Sequence, residues 1–248
     1  MAKKHYQCIA FDAVGTLITP VPTAGEVYYQ TARRFGSRLG SDEIARRFKQ
    51  AFRDSERNDA AAAEGLRLVT SELRERERWR QVVAAVIDDI PDTVDCFDSL
   101  YSHFARPDSW RCFDDVPEVL ARLETGGYRV AVASNFDRRL HEVCDGFPVL
   151  RKIGLRVISS EVGFRKPGRG FFDALVSQAG CDAEQVLMVG DDAANDVEGA
   201  RQAGLGAVLI NRRGQPGRDE PSLDKLGPDK PWPDEIRSLS ELFGLLAE

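Results

Sequence analysis

The sequence predicts a doubly wound α/β fold that carries an inserted bundle of helices. Over most of the chain, short apolar segments alternate with helical segments, which is the pattern of a parallel sheet covered by helices. Between residues 20 and 106 this alternation stops, and segments with helical periodicity follow one another without a strand. We therefore expect an α/β core made of residues 1–19 and 107–248, and a helical-bundle cap domain made of residues 20–106.

The strands of the core are predicted from apolar runs, because strands buried on both faces are nearly continuously hydrophobic. Such runs lie at residues 8–11, 129–133, 186–189 and 207–210, with a weaker one at 155–159. Helices are predicted between them at 116–124, 170–178 and 195–203, and glycines follow the first and the last of these. This order of elements predicts a Rossmann-like parallel sheet with helices on both faces.

The insert is predicted from four segments of helical periodicity, at residues 27–35, 42–52, 73–87 and 93–104. Four consecutive helices can form a small bundle with a core of its own. The Ala-rich segment 54–63 fits either a loop or a continuation of the second helix. Near the end of the chain, residues 212–234 are rich in proline, glycine and charge, which predicts a surface loop before an amphipathic helix at 239–246.

The composition argues against several classes of partner. A net charge of −6 lacks the basic excess of a nucleic-acid-binding face, and no run approaches the roughly 18 apolar residues of a membrane span. The five cysteines are scattered, and none forms a C-x-x-C pair, which favours reduced thiols and argues against zinc. The first residues lead into a strand rather than into a signal-peptide core. We therefore expect a cytoplasmic protein with no nucleic-acid and no membrane partner.

Polar side chains follow the predicted strands at the points where the strands end. They are Asp12, Ser134 with Asn135, Lys166, Asp191 with Asp192, and Asp196 one helical turn further on. Each alone has an ordinary explanation, because Asp and Ser are common helix caps and a lysine is usually a solvated charge. In a parallel sheet, however, the carboxyl ends of the strands share one edge, where open α/β sheets bind their ligands. The order of these residues therefore predicts a functional site, with Asp12 as the candidate nucleophile.

Four short segments resemble the ordered motifs of the haloacid dehalogenase-like hydrolases. They are Phe-Asp-Ala-Val-Gly-Thr-Leu at 11–17, Ala-Ser-Asn at 133–135, Arg-Lys-Pro at 165–167, and Val-Gly-Asp-Asp-x-x-Asn-Asp-x-x-Gly-Ala at 189–200. The helical insert lies where the capped (C1) branch of that family carries its cap. The segment 134–140 resembles the domain-containing-protein-3 type of the family. The resemblance extends over nearly the whole chain and implies a hydrolase.

The resemblance also implies a nucleophile and a magnesium site. Asp12 would attack an electrophilic phosphorus or carbon and form a covalent aspartyl intermediate. Asp12, Asp191 and the backbone carbonyl of Val14 would supply the hard oxygen ligands that suit Mg²⁺. Asp192 and Asp196 would have supporting roles, and Asp196 is expected to orient the lysine of the third motif or the water around the metal.

The remaining motif residues are expected to bind the group that is transferred. Ser134 and the backbone amides near Asn135 would donate hydrogen bonds to its oxygens. Lys166 would neutralise negative charge on the nucleophile and on the phosphoryl oxygens. Thr16 would hold the first loop and contribute to substrate binding. The partner that the resemblance implies is a small phosphorylated molecule.

Val14 is the one clear departure from the phosphatases of this family, in which a second aspartate normally stands at this position. That aspartate protonates the leaving alkoxide and then activates the attacking water. Valine can do neither, and general acid–base catalysis typically contributes about 10²–10⁴-fold in rate. A phosphatase with Val14 is therefore expected to be slow, to favour good leaving groups, or to obtain its acid from the cap, from water or from the substrate.

Three functions remain open from the sequence. The first is a Mg²⁺-dependent phosphohydrolase that acts on a small phosphorylated metabolite through an aspartyl-phosphate intermediate, weakened or specialised by Val14. The second is a non-catalytic member that binds a phosphorylated ligand or a partner. The third is a 2-haloacid dehalogenase, whose halide leaving group needs no proton; the retained Asp191 and Asp192 argue against it. Four arginines of the insert are expected to lie on its solvated faces rather than in the site, namely Arg33, Arg34, Arg46 and Arg47.

Overall fold

The computed structural model describes residues 6–63, 65–91, 93–212 and 235–247. Its strands in chain order are β1 (Cys8–Phe11), β2 (Ile18–Pro20), β3 (Trp110–Cys112), β4 (Arg129–Ser134), β5 (Leu155–Ile158), β6 (Val186–Gly190), β7 (Gly206–Ile210) and β8 (Glu235–Ile236). Six of them form a parallel sheet in the order β5-β4-β1-β6-β7-β8. The predicted fold class, a doubly wound α/β core, is confirmed.

The centre of the sheet is buried on both faces, which explains the continuous apolar runs in its sequence. All four residues of β1 are fully buried, and alternate ones face different sides of the sheet. Ile9 and Phe11 belong to one hydrophobic core, whereas Cys8 and Ala10 belong to the other. Because β1 pairs in register with both β4 and β6, the three strands end at the same edge of the sheet.

The insert contains four helices, α1 (Ala24–Arg34), α2 (Ser41–Ala61), α3 (Glu72–Val86) and α4 (Val94–His103). They surround a third hydrophobic core that includes Tyr28, Ile44, Val83 and Phe97. The segment that fitted either a loop or a helix is helical, since α2 continues through Ala61.

The chain enters and leaves the insert through two short strands that were not predicted. β2 and β3 pair in antiparallel fashion, with Pro20 opposite Trp110, and the backbone N–H of Val21 donates to the carbonyl of Ser109 at 2.9 Å. Each strand has three residues, which is too short for a period of two to emerge from the sequence. The two connections to the insert are therefore held side by side.

Helices of the core cover both faces of the sheet. They are α5 (Val116–Thr125), α6 (Arg139–Gly146), α7 (Pro148–Arg151), α8 (Ser159–Val162), α9 (Arg169–Ala179), a π-helical turn (Ala193–Glu198) that leads into α10 (Gly199–Gln202), and α11 (Leu242–Ala247). The predicted helices at 116–124 and 170–178 match α5 and α9 closely. The one predicted at 195–203 begins as the π-helical turn. None of the helices in the described ranges combines the length and the apolar character needed to cross a membrane.

The predicted surface loop lies outside the described residues, apart from its first residue. Arg212 is buried, and its guanidinium pairs with Asp115 at 2.9 Å and donates to the carbonyl of Thr16 at 2.9 Å. The predicted closing helix corresponds to a 3₁₀ turn at Leu239–Glu241 followed by α11.

Candidate active site

Lys166 connects residues that lie at or beyond the ends of three different strands of the sheet. Its Nζ atom lies 2.8 Å from Oδ1 of Asp12, 2.6 Å from Oδ1 of Asp196, and 2.8 Å from the carbonyl oxygen of Ala133. Burial alone would lower the pKa of Lys166, but the two carboxylates outweigh it and raise that pKa above its usual value. The ammonium group therefore remains charged and fixed beside the candidate nucleophile.

Asp196 uses both of its oxygens within the site. Oδ1 accepts from Lys166, and Oδ2 accepts from the backbone N–H of Asp192 at 3.0 Å. Burial raises the pKa of Asp196, while the charge of Lys166 acts in the opposite direction. Gly190 permits this packing, because a Cβ at that position would lie 2.1 Å from Oδ2 of Asp196. Asp196 thus contacts Lys166 directly, and its role in orienting the lysine stays a prediction.

Three carboxylates converge at the edge of the sheet. One oxygen from each of Asp12, Asp191 and Asp196 lies within 4.8 Å of the others. Gly15 makes room for them: its φ is +86°, and a Cβ there would lie 2.4 Å from Oδ2 of Asp191. Among the described residues, three carboxyl groups share the ammonium of Lys166, so negative charge is in excess even though the raised pKa of Asp196 leaves that group partly protonated near neutral pH. Hard oxygen donors with that charge fit a divalent cation such as Mg²⁺.

Asp192 has a local structural role. Its Oδ1 accepts from the backbone N–H groups of Ala194 and Asn195, both at 2.9 Å, and so caps the π-helical turn. Its Oδ2 accepts from Nδ2 of Asn195 at 2.8 Å, and that same amide reaches Oε1 of Glu56 on α2 at 3.1 Å. Asp192 thus supports the loop that carries Asp191 and links it to the insert.

The second motif positions the third. Ser134 is buried at the end of β4, next to Asn135. The Asn135 amide forms two hydrogen bonds with the backbone of Lys166: its Oδ1 accepts from the N–H at 2.8 Å, and its Nδ2 donates to the carbonyl at 3.0 Å. The Asn135 side chain therefore holds the lysine loop. This contact was not predicted from the sequence, and the binding of the transferring group by Ser134 and the backbone amides near Asn135 stays a prediction.

Thr16 is fully buried next to Gly15. Its carbonyl accepts from Arg212, and its hydroxyl forms no hydrogen bond with the carboxylates, with Lys166 or with any other described residue. Its roles in holding the first loop and in binding substrate stay predictions.

Val14 lies at the boundary between the acidic cluster and a cavity of about 210 Å³. The insert forms most of the opposite wall, with aromatic side chains that include Tyr28, Phe48, Phe52 and Trp79. Among the described residues, no carboxylate lines this cavity. An acid that could replace the missing aspartate is therefore not found in the described part of the wall.

The four arginines expected to be solvated do not line the cavity. Arg33 and Arg34 are exposed, and Arg46 and Arg47 each pair with Glu43 at 2.7 Å. The sequence analysis missed two other basic residues of α2 that do line the cavity, Lys49 and Arg53. The sequence does contain a pattern that indicates them. Lys49 directly follows Phe48, and Arg53 directly follows Phe52. Because these two Phe-cation pairs are four residues apart, they lie on the same face of a helix.

Comparisons with known proteins identify the family. The model of the haloacid dehalogenase-like hydrolase family matches residues 6–204. The haloacid dehalogenase-like hydrolase domain-containing protein 3 of Xenopus laevis is 28% identical over 215 residues, which cover 84% of this chain and 85% of that protein. The resemblance to this family is therefore confirmed.

Solved structures of similar fold include different members of the family. The HAD-hydrolase YfnB from Bacillus subtilis, solved bound to magnesium, superposes with a TM-score of 0.73 at 17% identity, over 98% of this chain and 99% of its own. The L-2-haloacid dehalogenase from Xanthobacter autotrophicus does so with a TM-score of 0.71 at 16% identity, over 98% of each chain. At such identities the likeness concerns the fold alone. With its family motifs gathered at one edge of this fold, the chain belongs to the haloacid dehalogenase-like hydrolases.

Proposed function

We propose that the protein is a Mg²⁺-dependent phosphohydrolase that uses Asp12 as its nucleophile and acts on small phosphorylated molecules. The observation that carries this proposal is the excess negative charge where Asp12, Asp191 and Asp196 surround Lys166. A carboxylate cannot approach a phosphate dianion unless cations lie between them. A divalent ion together with Lys166 would satisfy that requirement at this edge of the sheet.

Each step of phosphoryl transfer is assigned to residues of the chain. Asp12 attacks phosphorus, the bond to the leaving group breaks, and an aspartyl phosphate forms. Lys166 lies 2.8 Å from Asp12 and offsets the negative charge that accumulates on the transferring oxygens. Water then attacks phosphorus, which releases inorganic phosphate and restores the Asp12 carboxylate. Ser134 and the amides near Asn135 would bind the transferring group.

The magnesium ion would be held by Asp12, Asp191 and the carbonyl of Val14. When bound, it supplies positive charge that polarises the phosphoryl group. The chain itself fixes the position of Asp191 through the turn at Gly15, and it fixes Lys166 through Asn135 and Asp196. The site therefore needs little rearrangement to accept the ion.

Residues 20–106 act in this proposal as a cap over the core formed by 1–19 and 107–248. The insert has its own hydrophobic core and forms most of the cavity wall opposite the sheet edge. The paired strands β2 and β3 provide its two connections, at which the cap could move to admit substrate. The five cysteines, all free thiols, fit a reducing cytoplasm as the compartment.

Hydrolysis of 4-nitrophenyl phosphate tests the proposal. Because nitrophenolate barely needs a proton, a site that lacks only its acid should still turn over. We expect activity that requires Mg²⁺, disappears with a chelator and is abolished by Asp12→Asn. Turnover that persists in Asp12→Asn would contradict the proposal. Absence of Mg²⁺-dependent turnover across a broad screen of phosphate esters would favour the non-catalytic alternative.

A 2-haloacid dehalogenase is the second candidate, and Val14 favours it because halide leaves without a proton. The acidic cluster around Lys166 argues against it, since displacement of halide needs no divalent cation. Chloride release from 2-chloropropionate, measured without added metal, distinguishes the two. We expect no release above the Asp12→Asn control.

A further inference from the structure

The cavity beside Val14 can be assigned to the leaving group of the substrate. On the sheet side it is bounded by Val14 and Asn135, and Asn135 also holds the backbone of Lys166. On the insert side it is bounded by rings that include Phe52 and Trp79. The cavity therefore borders the loops that carry Asp12 and Ser134, and residues of the insert form most of its remaining wall. A group attached to a phosphorus held at those loops would project into it.

The wall of the cavity suits a flat, apolar group. Phe48 stacks on Phe52 with ring centroids 6.3 Å apart, and Phe52 contacts Trp79 at 6.0 Å. Pockets walled by aromatic rings favour apolar ligands, with a few polar groups that fix orientation. Val14 leads to the same conclusion from the chemistry, because a phenolate can leave without the proton that an alkoxide requires.

Two cations in the wall have no counter-charge. Lys49 and Arg53 are half-buried one helical turn apart on α2, and within the described residues neither forms an ion pair or a hydrogen bond. The third basic residue of the wall is different: Arg139 pairs with the buried Asp137, with Nη2 and Oδ2 2.7 Å apart. Unpaired cations beside apolar surface attract an anion strongly, because little water screens them.

We propose that the substrates are aryl phosphates whose ring carries a second anionic group, a carboxylate, which Lys49 and Arg53 bind. This assignment rests on the proposed function. Asp12 forms the new bond to phosphorus, and the bond between phosphorus and the aryl oxygen breaks, so that its electron pair leaves on the phenolate. The ring occupies the aromatic cavity next to Val14, and the carboxylate faces α2.

A matched pair of ligands tests the assignment: 4-carboxyphenyl phosphate and its neutral counterpart, 4-carbamoylphenyl phosphate. Their binding is measured by calorimetry on the Asp12→Asn protein, which holds them without turnover, and on the wild type in the presence of a chelator. We expect the carboxylate to bind about 10-fold to 100-fold more tightly, as two charge-assisted contacts allow. The double variant Lys49→Met/Arg53→Met should lose this preference and bind the amide unchanged.

Two other arginines of α2 provide the control. Arg46 and Arg57 are 68% and 71% exposed and pair with acids on the same helix, so Arg46→Met/Arg57→Met should retain the full preference. Equal binding of the two ligands, or a preference that survives in Lys49→Met/Arg53→Met, would overturn the assignment. A preference without Asp12-dependent turnover in the wild type would support the anion site and contradict the proposed hydrolysis. Turnover without a preference would contradict the anion site alone.

Discussion

Val14 changes the chemistry of the site at the scale of one residue. It lines the aromatic cavity beside Asp12, where an acid would protonate an alkoxide as it leaves. Among the described residues no carboxylate in the cavity wall replaces it. In the proposed mechanism such a site is suited to leaving groups that are stable as anions, and the first chemical step is expected to depend strongly on the leaving group.

Restoring the acid tests this dependence. Val14→Asp should raise kcat/KM for benzyl phosphate, which releases an alkoxide, by about 10²–10⁴-fold. It should change kcat/KM for 4-nitrophenyl phosphate far less, because that leaving group barely needs a proton. Val14→Asn is the matched control, since it has the same shape without a transferable proton, and it should give no gain. An equal gain for both substrates would contradict the assigned role of this position.

Gly15 is a second residue on which the site depends, because its positive φ and its contact with Asp191 leave no room for a side chain. Gly15→Ala should displace the Asp191 carboxylate and weaken Mg²⁺ binding by roughly 10–100-fold, as changes next to metal ligands typically do. The measurement is the Mg²⁺ dissociation constant by calorimetry. Gly36→Ala is the control: its φ is +93° and no atom lies within 4 Å of the added Cβ, so it carries backbone strain without the contact. Equal effects of the two substitutions would contradict the metal site.

At the scale of elements, α3 docks on the loop that precedes Lys166. The buried carboxylate of Glu75 accepts from the guanidinium of Arg165 and from the hydroxyl of Thr70, at 2.7 Å for the hydroxyl. The backbone N–H of Thr70 donates to the carbonyl of Gly163 at 2.9 Å, and that of Arg165 donates to the carbonyl of Leu68 at 2.8 Å. The insert and the core are thus joined next to Lys166.

Removing Glu75 should weaken this junction. Glu75→Ala leaves the buried Arg165 with only its longer contact to Asp59, at 3.4 Å, and should lower the free energy of unfolding by up to about 3–5 kcal/mol. Chemical denaturation followed by circular dichroism measures the change. Glu77→Ala removes a partly exposed acid from the same helix, whose partners among the described residues are its neighbours Arg80 and Gln81, and should have little effect. Similar losses for both variants would show that the buried pair does not stabilise the junction.

At the scale of the whole molecule, the site concentrates negative charge in a chain that already carries a net charge of −6. A bound divalent cation should therefore stabilise the folded protein. At a Mg²⁺ concentration 100 times its dissociation constant, linkage predicts about 2.7 kcal/mol of added stability. The added stability is measured as the difference between the free energy of unfolding in Mg²⁺ and that in the presence of a chelator. Asp191→Asn should remove most of the effect, whereas Asp114→Asn, with its side chain 96% exposed, should leave it intact. A stabilisation that survives Asp191→Asn would place the ion elsewhere.

The sequence predicted the long and strongly patterned parts of this fold. Fully buried parallel strands such as β1 and β6 are recognisable because every residue is apolar, and α2 because its periodicity spans many turns. The strands β2, β3 and β8 were missed, since two or three residues carry no pattern and their pairing depends on distant partners.

The candidate site was predictable where it consists of motif residues that directly follow strands. Asp12 and Asp191 converge because β1 and β6 end at one edge of the sheet, and Lys166, which lies beyond β5 and α8, reaches Asp12 there. The cavity was not predictable, because Lys49 and Arg53 reach it only through the way α2 lies over the sheet edge. Nothing in the spacing along the chain specifies that packing, which is set by the hydrophobic core of the insert.

The central claim is that Asp12 is phosphorylated during turnover. Without an acid–base residue at position 14, 4-nitrophenolate should leave readily while hydrolysis of the aspartyl phosphate is slow, so the intermediate should accumulate. Rapid mixing with 4-nitrophenyl phosphate and Mg²⁺, followed by acid quench and peptide mass spectrometry, measures it directly. We predict a burst of nitrophenolate stoichiometric with the enzyme, together with a phosphoryl group on the peptide that contains Asp12. Steady turnover with no burst and no phosphorylated peptide, unchanged in Asp12→Asn, would contradict the account.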